Sequence, residues 1–263
     1  MLVASEQHIA RYEMKYVVDV RLRDAIRDFV LLFCKRDRHA DPVTGEYTVS
    51  TLFFDSYKRD CYLANENKSA NRFKLRARTY GNSDNAPLFL EIKRRVGEFV
   101  DKSRAALPPG WSGLEDIILG PRMPASLPDR QRLPFYEFEH AFRLINARPV
   151  LRVRYDRESF MSENDAYARV TFDRRIRYQP TRGWDLPGSG RWRAMDSTMT
   201  YARDYPAFIL ELKCTSDQPS WMAELIERFN LVRTDFCKYA TATRLELLHC
   251  GFSFSDAAEN CTY

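Results

Sequence analysis

Apolar and polar residues alternate with period two through a series of short stretches, the signature of half-buried β-strands. They run from Ala10 to Val18, Tyr47 to Phe54, Arg72 to Tyr80, Leu88 to Arg95, Glu98 to Leu107, Pro149 to Phe160, Ala168 to Tyr178 and Ala207 to Cys214. Elsewhere the apolar residues recur at helical spacing: Val20 to Cys34, with Leu22, Ile26, Val30 and Phe33 on one side, then Arg130 to Asn146, Trp221 to Phe229 and Tyr239 to His249. The pattern predicts an α+β protein with mostly antiparallel strands. Leu107 to Gly113, Gly120 to Pro128 and Thr181 to Gly190 are rich in Pro and Gly and read as loops, none long or repetitive enough for a linker.

With 263 residues and 44% hydrophobic content, the chain can close one sizeable core, and a single domain over residues 1–263 with a C-terminal tail from 250 is expected. Lys and Arg number 41 and Asp and Glu 36, a net charge of +5, which excludes a bulk polycation and makes any strong basic patch local. No apolar run approaches the ~20 residues of a membrane helix, and the N-terminus lacks a secretory signal pattern. A soluble, cytoplasmic protein is expected. Six cysteines without a CxxC pair, and only four histidines, predict free thiols rather than a zinc site or disulfide framework.

The basic charge is concentrated in the strands. Between Arg72 and Arg104 nine basic residues face four acidic ones, and between Arg148 and Arg193 eleven arginines face six acids. Residues two apart on a strand share a face, so Arg72, Lys74, Arg76 and Arg78 project together, away from Phe73, Leu75, Ala77 and Thr79. A row of like charges destabilises an ordinary sheet, and a bound polyanion would relieve it. Glu-x-Lys also recurs on strands, as Glu13-Met14-Lys15, Glu91-Ile92-Lys93 and Glu211-Leu212-Lys213. Strands with charged inner and apolar outer faces predict a closed barrel around a polar lumen. The plainer alternative is a solvated outer face in which Glu13, Glu91 and Glu211 pair with neighbouring cations.

Taken in order, Arg11 to Tyr16 (RYEMKY), Tyr47 to Asp55 (YTVSTLFFD), Arg72 to Gly81 (RFKLRARTYG), LFLEIK, ARPVLRVRYDRESF, ARVTFD, FILELK and FCKYATAT resemble the polyphosphate polymerase domain of the vacuolar transporter chaperone (VTC) family. The resemblance runs from about Arg11 to Thr243. It implies the triphosphate tunnel fold, a closed antiparallel barrel with flanking helices. Members of that superfamily that hydrolyse triphosphates start Glu-x-Glu-x-Lys; the Arg11-x-Glu13-x-Lys15 start is similar to the polymerase branch instead. With neither a helical sensor region nor a membrane segment, the chain looks like a stand-alone bacterial form.

The resemblance further implies phosphate-binding cations at Lys15, Arg76, Arg78, Lys93, Arg157, Arg169, Lys213 and Lys238, with Arg72 and Lys74 extending the same strand face toward substrate, and a metal-binding carboxylate at Glu211. Cys237 stands where the family often has Ser. Strand parity sets Arg157 opposite Arg152 and Arg154 unless a bulge intervenes. The implied reaction moves the γ-phosphoryl group of ATP onto a growing polyphosphate chain with Mn²⁺ or Mg²⁺. ATP and polyphosphate are then the partners, without specific nucleic-acid binding, and a membrane-associated partner is compatible with the family. An ionised phosphate acceptor needs no general base, so the lack of a His/Asp or Ser/His arrangement is no obstacle. Two other functions fit the charge pattern: a triphosphate or nucleotide hydrolase of the same fold, which Arg11 disfavours, and a non-catalytic polyanion-binding module.

Overall fold

The computed structural model describes residues 12–81, 86–97, 99–107, 113–120, 127–165, 167–215 and 217–251. Arg11, Glu98, Cys261, most of the first two expected loops and the tail from 252 lie outside the described residues. In chain order the elements are β1 (Tyr12–Asp19), a 3-10 turn (Val20–Leu22), α1 (Arg23–Leu31), β2 (Cys34–Arg36), β3 (Tyr47–Asp55), α2 (Asp60–Glu66), β4 (Asn71–Tyr80), β5 (Leu88–Val96) and β6 (Phe99–Leu107). Then follow α3 (Leu114–Leu119), α4 (Asp129–Leu144), β7 (Arg148–Ser162), β8 (Arg169–Pro180), β9 (Arg193–Ala194), α5 (Thr198–Tyr201), β10 (Ala207–Cys214), α6 (Ser220–Arg228) and α7 (Lys238–His249). The eight expected strands and four long helices are present, except that the helix expected from Val20 to Cys34 breaks into a 3-10 turn and α1, and Cys34 opens β2.

The chain divides into two compact units. The first comprises residues 1–47, 156–174 and 196–236. In it β1 pairs antiparallel with β10, β10 with β8, and β2 with β7. Alternation sends Met14, Tyr16 and Val18 of β1, Leu210 and Leu212 of β10, and Val170 and Phe172 of β8 into one buried cluster. Two helices cover that cluster. α1 contributes Ile26, Phe29 and Val30, spaced i, i+3, i+4, and α6 contributes Trp221, Met222 and Leu225. The Asp19 carboxylate accepts the Arg21 backbone N–H at 2.8 Å and turns the chain from β1 toward α1.

The second unit comprises residues 48–155, 175–195 and 237–263. β3, β4, β5 and β6 form an antiparallel meander in which Leu52, Phe54, Leu75, Ala77, Leu90, Ile92, Ala105 and Leu107 point to one side. Phe135, Phe138 and Phe142 of α4 and Leu114, Ile117 and Ile118 of α3 close over them. Gly81 ends β4 at φ +82 with its N–H on the Thr48 carbonyl, a conformation that a side chain would resist.

The ten strands make an open antiparallel sheet in which β1 and β6 are the terminal strands, and no ladder among the described residues closes it. The α+β class and antiparallel pairing are as expected, whereas the closed barrel is not what the strand pairing shows. Alternation specifies which side chains share a face; closure depends on tilt and stagger, which alternation does not encode. The short elements β2, β9, α2, α3 and α5 were unexpected because each is too brief for a periodic pattern to stand out.

Phe138 is fully buried and meets Phe54 edge-on at 5.9 Å between ring centroids. Phe138→Ala is expected to lower the unfolding free energy by about 3–5 kcal/mol, as read from the shift in urea midpoint at constant slope.

Candidate functional site

Each unit turns one charged sheet face away from its apolar cluster. In the second unit, register sets the charges in rows across three strands. Lys74 lies opposite Lys93, and Lys93 opposite Lys102; Arg76 lies opposite Glu91, and Glu91 opposite Arg104; Arg72 lies opposite Arg95. Arg78 continues the face, buried, with its Nε donating to Thr51 Oγ1 at 3.1 Å. Glu91 is the sole carboxylate among these positions and is completely buried. It accepts Arg76 Nε at 2.7 Å and Arg104 Nε at 2.6 Å, and Lys102 Nζ lies 2.8 Å away. Burial alone would raise the Glu91 carboxyl; the charges of Arg76, Arg78, Lys102 and Arg104 outweigh it and hold the group far below the usual carboxylate range.

The same crowding perturbs two further groups. Burial, reinforced by Arg76 and Arg104 and opposed by Glu91, brings the Lys102 ammonium down to about 8. Burial would raise the Tyr80 phenol, but Arg78 and Arg104 reverse this and bring it down to about 8. Arg104 Nη2 donates to the Tyr80 hydroxyl at 3.1 Å, and its guanidinium carbon lies 4.6 Å from the Phe89 ring centroid. Arg72 donates to the Ser69 carbonyl at 2.6 Å, and Lys74 Nζ to Cys237 Sγ at 3.0 Å. Lys238, the first residue of α7, sits 4.5 Å from the Tyr155 ring centroid, a cation–π distance.

In the first unit the rows are Glu13, Lys213 and Arg169, then Lys15, Glu211 and Thr171. Lys15 Nζ is 2.8 Å from Glu13 and 3.8 Å from Glu211, and it donates to the Phe236 carbonyl at 3.2 Å. Lys213 Nζ lies 3.9 Å from Glu13 and 3.6 Å from Glu211. Arg157 reaches the same carboxylate at 3.6 Å while two bonds of 2.6 and 2.8 Å lock it to buried Asp173. Arg169 donates to Ser159 Oγ at 3.0 Å and to Asp37 at 3.2 Å. On β7, Arg152 engages Gln179 and Asp185 instead, in keeping with its opposite parity to Arg157.

The two near-identical Glu contexts therefore have different surroundings. Glu91 is saturated by short, charge-assisted contacts. Glu211, also buried, accepts one hydrogen bond among the described residues, from Thr171 Oγ1 at 3.3 Å, and its three cations stand beyond tight bonding distance. Its oxygens keep acceptor capacity. The described residues contain no cluster of three or more His, Cys, Asp or Glu arranged around one point. Glu211 would be the residue to hold a hard divalent ion here, and a carboxylate is a donor that suits Mg²⁺ or Mn²⁺.

Lys15, Arg157, Arg169, Glu211 and Lys213 thus gather in the first unit, and Arg72, Lys74, Arg76, Arg78, Lys93 and Lys238 belong to the second. Sequence reasoning did not single out Lys102, Arg104, Thr171 or Asp173 as site residues. Alternation along β6 marks Lys102 and Arg104 as sharing a face, but only the pairing register sets them against Lys93 and Glu91.

Antiparallel strands with helices over their apolar side and rows of Lys and Arg on the other define an α+β protein with strongly basic sheet faces. A model of the VTC domain matches residues 10–247, and the chain belongs to the VTC domain family. Subunit 4 of the vacuolar transporter chaperone complex of Schizosaccharomyces pombe is 25% identical over 207 residues, 68% of this chain and 29% of that protein. The chain thus spans under a third of that relative's length. Among solved structures, the PH1819 protein from Pyrococcus horikoshii OT3 aligns with 90% of this chain and 99% of its own, at 12% identity and a TM-score of 0.43, a slight likeness. No helix among the described residues is long and apolar enough to cross a membrane.

Two predictions follow from this geometry. Loss of the Lys102 proton and of the Tyr80 proton both subtract positive charge, so triphosphate affinity is expected to fall as pH rises through about 8. Calorimetric titrations at pH 7 and 9 check this, and Tyr80→Phe with Lys102→Arg should flatten the dependence. Glu91→Gln removes the counter-charge of Arg76, Lys102 and Arg104 and is expected to destabilise the fold by about 3–5 kcal/mol near neutral pH. Because the folded carboxyl is depressed from 4.5, this contribution is complete above that pH and shrinks as pH falls below it. Urea unfolding of both proteins between pH 3 and 7 should show the gap narrowing on the acid side.

Proposed function

We propose that the protein is a phosphotransferase that extends inorganic polyphosphate, moving the γ-phosphoryl group of ATP onto the terminal oxygen of the chain. The observation that carries this reading is the pair of Lys and Arg rows borne on sheet faces in a chain of the VTC domain family. Phosphoryl transfer asks mainly for positioning and for neutralisation of charge on the phosphates. Arg76, Arg78, Lys93 and Lys15 are suited to hold phosphate oxygens, the arginines through their planar forks. The acceptor oxygen is ionised near neutral pH, so no side chain has to remove a proton. Glu211 would hold Mn²⁺ or Mg²⁺, and the ion would supply positive charge to offset the negative charge of the phosphates. Arg157, fixed by Asp173, keeps positive charge beside Glu211 and acts there as a positioning residue. ATP and polyphosphate as the ligands and a cytoplasmic location are parts of the same proposal.

The test is incubation of the purified protein with ATP and Mn²⁺ or Mg²⁺, followed by gel detection of a phosphate polymer that an exopolyphosphatase removes. Release of phosphate without polymer would overturn the reading in favour of a hydrolase, and neither product would leave a polyanion-binding module. Glu211→Gln is expected to lower metal-dependent synthesis ~100-fold or more while triphosphate still binds without metal. Glu91→Gln should keep its dependence on the metal concentration. The reverse pattern would move the metal away from Glu211.

A further inference from the structure

Two adjoining cavities of the second unit, about 510 and 380 Å³, have none of that unit's row of sheet cations in their walls and share Arg148, Pro149 and Arg182. Both volumes are in the range of small-molecule sites. Phe142 and Trp184 line the larger one and pack against each other, with ring centroids 5.8 Å apart, as part of the apolar cluster under α4. The cavity therefore opens on the helix-covered side of the β3–β6 meander, and the cationic rows occupy the other side.

Four arginines supply the charge of these walls: Arg143 and Arg148 beside Trp184, and Arg59 with Arg148 and Arg182 around the smaller cavity. Arg143 is engaged with Glu139 at 2.8 Å and with the Gly120 carbonyl at 3.2 Å. Arg59, Arg148 and Arg182 have no carboxylate partner among the described residues. The Arg148 guanidinium carbon lies 4.4 Å from the Tyr57 ring centroid, which leaves its N–H edge available. The Arg59 backbone sits at φ +60, ψ +42, a left-handed conformation that glycine would adopt without strain.

We propose that this arginine-lined cavity is a second anion site, distinct from the charged face of the β4–β6 strands, which takes a short run of phosphates. The planar guanidinium groups in its walls suit the paired oxygens of a phosphoanhydride. Trp184 offers a surface for a ring if the phosphates belong to a nucleotide.

The test is calorimetric titration of inorganic triphosphate into the full chain, with the wild type expected to bind one equivalent more than the Arg148→Ala/Arg182→Ala double variant. Both arginines are exposed, so the fold should be retained. Arg59→Gly provides a second reading that does not depend on the double variant folding. It relieves the left-handed strain and so should melt no lower than wild type, while weakening the same binding step about tenfold. Pyrophosphate and ADP titrated in parallel identify the source of the phosphates: tighter binding of ADP, lost in Trp184→Ala, indicates a nucleotide, and equal binding indicates bare phosphate chains. Unchanged stoichiometry in the double variant together with unchanged affinity in Arg59→Gly would overturn the site.

Discussion

The charged faces exist because the opposite faces are buried. With alternation of period two, every strand that sends Leu75, Ala77, Leu90 and Ile92 beneath α4 must present Lys74, Arg76, Glu91 and Lys93 on the other side. Lysines placed directly opposite one another, as Lys74, Lys93 and Lys102 are, disfavour the pairing. Each large apolar side chain buried on the far side returns roughly 1.5–3 kcal/mol. The sheet can therefore keep a face it would not tolerate alone. Under the proposed function, an anion bound to the folded state would relieve that repulsion and stabilise the fold.

Glu91 and Glu211 show how register decides chemistry where local sequence does not. Both follow an apolar pair and precede an apolar residue and a lysine. Glu91 has arginines opposite it on both neighbouring strands, and two guanidinium forks plus an ammonium exhaust its lone pairs. Glu211 has Lys15 on one side and Thr171 on the other, and a threonine hydroxyl supplies one long bond where an arginine would have supplied a short charged one. The difference between a structural hub and a carboxylate with acceptor capacity is thus set by residues some 40 and 200 positions away along the chain.

This explains what was legible in the sequence. The face-sharing of Arg72, Lys74, Arg76 and Arg78 follows from parity along one strand, and so does the separation of Arg157 from Arg152 on β7. The helices were legible because apolar residues recur at helical spacing, Ile26 and Val30 one turn apart in α1 and Phe135, Phe138 and Phe142 over two turns of α4. Asp173 as the partner of Arg157, and Arg104 as a partner of Glu91, required knowledge of which strands pair and in what register. Sheet closure was expected from charge alternation and from the family resemblance, and alternation is the same in an open sheet.

The division of labour between arginine and lysine bears on the proposed reaction. Arg157 is committed to Asp173 through two bonds, so its guanidinium group fixes the frame of the charged face it belongs to. Lys15 and Lys213 instead share two carboxylates, Glu13 and Glu211, at 2.8 to 3.9 Å. An ammonium is a point charge on a flexible stem and can exchange one oxygen for another with little change in energy. A polymer that must advance by one phosphate after each addition is better served by cations that trade partners than by forks that hold them. In the proposed reaction, rigid arginines would keep the positive field in place, and lysines within it would let the chain move without leaving it.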